Sequence, residues 1–362
     1  MTAQLQIPHM VLQSTQVCNF NCTYCYLPDR QVRGFMRPDV ATAVANSLAN
    51  CSANPTIINW HAGEPLATGR KRFLALLQPF EHLREDGRLI HTMQTNASLI
   101  DDAWCEIFSQ YGIQISASID GHREANAQRV DWQGRETFDA TMQGLETLKR
   151  NGIPFSMLAV VNTASMRDPH GFYKFFLELG CTGFGLNVEE QEGFHAGAPE
   201  LDSVAVRHFW KELWEAWIAN PTMGIREFSL GVQWSRFDPE SLPLDQDSYS
   251  YWPTVSLKGD VFLLSPELAA AKPEDRKRFV VGNVLTEPLD QIVARAKDVW
   301  YVREYFEGAE KCRETCKYYT YCRGGLASNK FFETGKFNVT ETNDCRFGQQ
   351  AIVDTMFEAF DA

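Results

Sequence analysis

Over the first 220 residues, short apolar runs alternate with stretches whose apolar positions recur at helical spacing. The runs predict strands over Met10–Thr15, Thr56–Ala62, Ile90–Thr95, Gln114–Ile119, Phe155–Val161 and Gly183–Val188. Between them, amphipathic spacing predicts helices over Pro38–Asn50, Arg72–Glu85, Asp101–Tyr111, Glu136–Asn151 and Asp168–Leu179. Strands alternating with helices of this length build βαβ units on a parallel sheet. Six such units predict an α/β fold, a partial (β/α)6 barrel, whose chemistry gathers at the carboxyl ends of the strands. A longer amphipathic stretch, Ser203–Ala219, carries Phe209, Trp210, Leu213, Trp214 and Trp217 on one stripe. Such a stripe is expected in the core or as an inter-domain brace. Turn signals follow at Asp238-Pro239, Lys258-Gly259-Asp260 and Gly282-Asn283. They predict a linker, a β-hairpin and then a helix over Leu289–Val299. The expected division is a core domain at 1–220, a linker and hairpin region at 221–310, and a cysteine-bearing region at 311–362.

Composition narrows the class. A chain of 362 residues can bury one large α/β core plus a smaller unit. Its formal net charge of −12 disfavours a nucleic-acid groove or an anionic membrane as partner. The start, MTAQLQIPHM, lacks a basic segment followed by an apolar one, so no signal peptide is expected. No apolar run approaches the length that spans a bilayer. Ten cysteines in such a chain read as metal ligands rather than disulfides, which predicts a reducing cytoplasm and an oxygen-sensitive protein.

Seven of those cysteines fall into two groups. Cys18, Cys22 and Cys25, in VCNFNCTYCYL, can hold three irons of a [4Fe–4S] cube and leave the fourth open. A zinc site is the competing reading, but zinc prefers four closed ligands and the next candidates are only Cys51 and His61. The CxxxCxxC spacing, with Tyr24 just before its last cysteine, resembles the signature of the radical S-adenosylmethionine (SAM) superfamily. That resemblance implies SAM chelated to the open iron. Reduction then splits it into methionine and a 5′-deoxyadenosyl radical.

Three strand ends extend the resemblance. His61-Ala62-Gly63-Glu64-Pro65 resembles the superfamily's GGEP motif, with Ala62 in place of the first glycine. Gln94-Thr95-Asn96 and Ser118-Ile119-Asp120-Gly121 resemble the QTN and S-x-DG signatures of peptide-modifying members, and Arg129 follows nine residues after Asp120. The resemblance implies a SAM pocket of Tyr24, Gly63, Glu64, Asn96, Ser118, Asp120 and Arg129. Each motif alone would serve as an ordinary turn or helix cap. It is their order along the chain that points to a cofactor.

The second group, Cys312, Cys316, Cys322 and Cys345, offers four thiolates, a complete set for a closed [4Fe–4S] cluster suited to electron transfer. Structural zinc is the alternative, although the gaps differ from the tight pairs of zinc ribbons. Cys51, Cys105 and Cys181 lie on apolar faces and read as buried thiols. YYTYCRGG, Asn329-Lys330 and the late Cys345 resemble a SPASM domain, the auxiliary-cluster module of radical SAM maturases. A full SPASM domain usually carries a cysteine after its hairpin glycine, whereas here Gly259 leads through Val261-Phe262 into Ser265-Pro266-Glu267-Leu268. One auxiliary cluster is therefore expected, two [4Fe–4S] clusters in all.

SPEL, NVEEQEG at Asn187–Gly193 and TETNDC bring the resemblance closest to the GrrM/OscB branch, from about residue 10 to residue 355. That branch implies cyclophane crosslinks in a ribosomally synthesised precursor peptide, joining an aromatic ring carbon to a side-chain β-carbon. A β-hydrogen is removed, the carbon radical adds to the ring, and one electron and one proton then leave. The auxiliary cluster is the expected electron acceptor, with Glu189, Glu190 or Glu267 taking the proton. The expected partners are the precursor peptide and an external electron donor of flavodoxin or ferredoxin type. With no winged-helix segment recognised at either end, leader binding is expected to use the two domains themselves. Alternatives are a formylglycine-forming sulfatase maturase, a peptide epimerase or thioether synthase, and, in a different class, a non-catalytic iron–sulfur redox carrier.

Overall fold

A computed structural model describes residues 5–51, 54–190, 192–195, 201–229 and 251–361. Among these, ten strands share one sheet: β1 (His9–Leu12), β2 (Thr56–Trp60), β3 (Leu89–Thr95), β4 (Gln114–Ser118), β5 (Phe155–Val161), β6 (Gly183–Val188), β7 (Gly224–Ile225), β8 (Thr254–Val255), β9 (Asp260–Phe262) and β10 (Gly282–Asn283). Their order is β10-β9-β8-β1-β2-β3-β4-β5-β6-β7. Pairing is parallel from β8 through β1 to β7, and antiparallel only at β8–β9 and β9–β10. The six expected units thus form a parallel α/β sheet, and the hairpin after residue 250 extends it beyond β1.

Local chemistry sets most element ends. Asp101 caps the helix Asp102–Tyr111 by accepting from Trp104 N at 2.9 Å, and Gly112 ends it at φ 61°. Asp168 does the same for Pro169–Leu179 through Gly171 N, with Gly180 at φ 72°. Phe155–Val161 and Gly183–Val188 lie where the sequence places them. The first strand is shorter than predicted, because Ser14 and Thr15 leave the ladder: Ser14 O accepts from Met36 N at 2.8 Å, and Thr15 bridges to Phe35.

Three expectations are corrected. The helix read over Arg72–Glu85 is interrupted. It runs Arg70–Leu77, tightens to a 3-10 turn at Gln78–Phe80 and resumes at Glu81–Glu85, since Pro79 has no N–H to give the ladder. The helix over Leu289–Val299 stops at Ala294, and a separate one, Trp300–Thr315, follows and carries Cys312. Gly282-Asn283 is a strand rather than a turn, pairing with Val261 and Asp260. Asp238-Pro239 lies outside the described residues.

The aromatic stripe is buried and joins distant parts of the chain. Phe209, Trp210, Leu213 and Trp214 are core residues. The Trp210 indole donates to Phe347 O at 2.7 Å, 137 positions later, which ties this helix to the segment after Cys345.

Candidate functional site

β1 delivers the chain to the three-cysteine loop, and its neighbours hold that loop by main-chain bonds. Cys18 N donates to Arg30 O (2.9 Å), Asn21 N to Val130 O (2.7 Å), Thr23 N to Gln128 O (3.0 Å) and Glu64 N to Val17 O (2.8 Å). The Trp132 indole donates to Cys18 O at 2.8 Å. The three thiols are therefore presented by a loop pinned to the ends of β2 and β4. Burial raises both Cys18 and Cys22, Cys22 to about 11 despite the opposing Arg129 charge. Thiolates at this depth need the positive charge of a metal centre, a donor set that fits iron.

The carboxyl ends of the strands crowd against this loop. After β2, Ala62 and Gly63 both have left-handed backbones, φ 77° and 60°. A Cβ on Gly63 would lie 2.7 Å from Val17 O, so only glycine lets the loop pass this close. Glu64 is buried and its oxygens accept from Leu66 N (3.0 Å), Thr95 Oγ1 (2.7 Å) and Asn96 N (2.7 Å). It clamps the ends of β2 and β3. The Asn96 amide donates to Asn19 Oδ1 at 2.9 Å, inside the loop, and Gln94 donates to Ser118 Oγ at 2.7 Å.

Tyr24, Asp120 and Arg129 meet in one buried chain. Tyr24 OH donates to Asp120 Oδ2 and Arg129 Nη1 donates to Tyr24 OH, each at 2.7 Å. Asp120 Oδ1 accepts from Val160 N at 3.0 Å. Arg129 is 6% exposed and its Nε has no hydrogen-bond partner among the described residues. An orphaned guanidinium donor beside the cysteine loop fits an anionic ligand group, as the carboxylate of SAM would be.

The carboxyl-terminal cysteines lie at element ends. Cys312 closes the last turn of Trp300–Thr315, Cys316 N bonds back to Cys312 O at 2.8 Å, and Cys322 ends the short helix Tyr319–Cys322. Cys345 N donates to Thr342 Oγ1 at 3.1 Å. Lys330 is fully buried beside them and donates to Val339 O at 2.7 Å. The sole trio of His, Cys, Asp or Glu ligand atoms lying within 4.8 Å of one another among the described residues is His170, Glu212 and Glu215, a partly exposed surface group. No three of the seven clustered cysteine sulfurs approach so closely.

The three candidate carboxylates separate. Glu189 turns toward Gln128, accepting from its Nε2 at 3.3 Å, and is paired with His195 Nε2 at 3.1 Å. Glu190 and Glu267 instead come together, joined by Glu192, which the sequence reading did not single out. Adjacent residues at a strand end alternate in direction, so Glu189 and Glu190 part company. Burial, then the charges of Asp344 and Glu267, pushes Glu190 up to about 8. Tyr26, directly after Cys25, faces the same acids and reaches His61 Nε2 at 3.2 Å. Glu192 had one signal in the sequence, the repeated acids of Glu-Glu-Gln-Glu. Tyr26 and His61 had none beyond their place beside motif residues.

The radical SAM superfamily model matches residues 12–176. An uncharacterized protein of Synechocystis sp. is 31% identical, the alignment covering 97% of this chain and 92% of that one. A cysteine-type anaerobic sulfatase-maturating enzyme of Clostridium perfringens is 23% identical over 87% of each chain. A solved structure described as native anSMEcpe with bound AdoMet and Cp18Cys peptide superposes with a TM-score of 0.77 at 20% identity, over 98% of this chain and 97% of that one.

Proposed function

We propose that this chain, which belongs to the radical SAM superfamily, modifies a ribosomally made precursor peptide by forming a cyclophane, a carbon–carbon bond between an aromatic ring and a side-chain β-carbon. The observation that carries it is the group of buried carboxylates lying between two cysteine loops. Bound at Cys18, Cys22 and Cys25, a [4Fe–4S] cluster with SAM supplies a 5′-deoxyadenosyl radical, and a second cluster at Cys312, Cys316, Cys322 and Cys345 supplies an electron acceptor. The chain's own residues do the rest. Arg129 and Asn96 orient the cofactor, with Glu64 and Asp120 fixing the strand ends that carry them. Glu189, held by Gln128 and His195 at the end of β6, is the carboxylate we assign to take the ring proton. An external flavodoxin- or ferredoxin-type donor and a cytoplasmic setting complete the reading.

The likeness to sulfatase-maturating enzymes favours a second reading, formylglycine formation at Cys or Ser. Anaerobic co-expression with a short peptide encoded beside the gene separates the two. A product two hydrogens lighter, with fragmentation blocked between the joined residues, supports the crosslink. A hydrazide-reactive aldehyde supports formylglycine. Neither product, with no 5′-deoxyadenosine above background, would overturn both.

A further inference from the structure

The end of β6, the short helix Gly193–His195 and the helix Pro266–Ala270 bring Glu190, Glu192 and Glu267 to one place. Glu192 is 4% exposed and hydrogen-bonds to Glu190, and among the described residues its Oε1 has no partner. Asn329, 1% exposed, bonds to Glu190, and among the described residues its Oδ1 has no partner. The remaining partners are neutral: Ser265 donates to Glu267 and Ser328 bonds to Glu192. Among the described residues no Lys, Arg or His forms an ion pair with any of the three acids. The buried Lys330 next to Asn329 is turned to Val339 O and toward the auxiliary cysteines.

Glu190 and Glu192 hydrogen-bond to each other, so one of that pair holds a proton, and whatever charge the three acids carry is negative. Burial without a counter-charge keeps protons on these acids, and a cation arriving from outside would take the place of those protons. The three carboxylates do not bring their oxygens within 4.8 Å of one another, too wide a spread for one metal ion. A guanidinium with five N–H donors, or an ammonium with three, can bridge such a spread. Glu190 and Glu267 keep part of their surface open, so the point can be reached. Tyr26 beside Cys25 on one side, and Asn329 next to the Lys330 that faces the auxiliary cysteines on the other, place it between the two loops.

We propose that Glu190, Glu192 and Glu267 form a subsite for an arginine or lysine side chain of the substrate peptide, a few residues from the position that is modified. This rests on the peptide-modifying reading and adds a sequence requirement to it.

The test uses the full chain, iron-loaded under anaerobic conditions with SAM, to capture from a peptide library of four random residues on either side of a fixed tryptophan. Arg or Lys should be enriched at one spacing from the tryptophan, about tenfold or more above capture by E190Q/E192Q/E267Q. The E267Q single variant, which keeps the amide's shape and whose circular dichroism and iron content are checked first, should show an intermediate loss. Equal Arg and Lys enrichment on wild type and triple variant overturns the subsite. Capture that requires added Mg²⁺ and vanishes with EDTA also overturns it, in favour of a bridging metal. A sequence preference without a cation, shared by both proteins, removes the subsite and leaves the peptide-modifying reading standing. No capture and no peptide-stimulated 5′-deoxyadenosine would remove both.

Discussion

Single atoms decide whether the three-cysteine loop can be where it is. At Gly63 an added Cβ would meet main-chain atoms of residues 15 to 17, the nearest at 2.7 Å, and main chain cannot swing aside as a side chain can. Gly63→Ala should therefore displace Cys18. Misplacing reacting groups by an ångström costs on the order of a hundredfold in rate. The expected result is a loss of that size in 5′-deoxyadenosine formation with reduced iron at the first site, and an unchanged rate would refute the argument. Ala62, at φ 77°, makes the opposite case. A left-handed alanine costs roughly 1–2 kcal/mol, and glycine's extra freedom when unfolded offsets about 0.5–1 of it. Ala62→Gly should stabilise by up to about 1 kcal/mol in denaturant titrations. The sequence showed a turn with glycine in it. It could not show that the glycine is there for Val17, because that contact is set by how two strand ends pack. The same limit hid the parting of Glu189 from Glu190, which depends on where β6 ends.

Elements were legible where periodicity and caps agreed, as at Phe155–Val161, Gly183–Val188 and Asp102–Tyr111. They were misread where a backbone requirement overrode the pattern. Pro79 broke a helix that the apolar spacing carries straight through. Gly308 disguised Trp300–Thr315, since glycine argues against a helix interior. Its reason is tertiary: a Cβ there would lie 2.7 Å from Asn338 Cα. Gly144 is the same device under the turn that follows β3. The helix Phe138–Arg150 presses its backbone onto the turn after β3, where a Cβ would lie 1.9 Å from Ala97 O, and Thr141 donates to Asn96 O at 3.2 Å. Gly144→Ala gains up to about 1 kcal/mol of intrinsic helix preference. It must also push the helix off that turn, an overpacking cost of roughly 1–3 kcal/mol. A net loss of stability is expected in chemical denaturation, and a stabilised variant would show that this contact is not tight.

Across the whole molecule, one sheet and one aromatic brace hold two cysteine sites around a pocket of acids, and the acids make that assembly sensitive to pH. The cysteine spacing was legible in the sequence, and its two groups predict about eight irons after anaerobic reconstitution. Four irons with one zinc would instead make the second site structural. The pocket was not legible, because it is built from β6, the SPEL turn and the auxiliary loop, which are distant in the chain. Its electrostatics carry a separate prediction. Glu190 is pushed from 4.5 to about 8, by burial first and then by Asp344 and Glu267. Between those values the folded chain holds a proton that the unfolded chain releases, so stability falls as pH rises. The contribution of protonated Glu190 is fully present below about 4.5 and is gone once pH passes through about 8. Glu190→Gln fixes the neutral form. Melting temperatures of iron-loaded wild type and variant should therefore differ by a constant amount near pH 4.5 and below. The difference should move in the variant's favour as pH climbs, and level off above about 8. Two curves that stay parallel from pH 5 to 9 would mean that Glu190 ionises as freely in the fold as in water, and that the acids do not share one buried pocket.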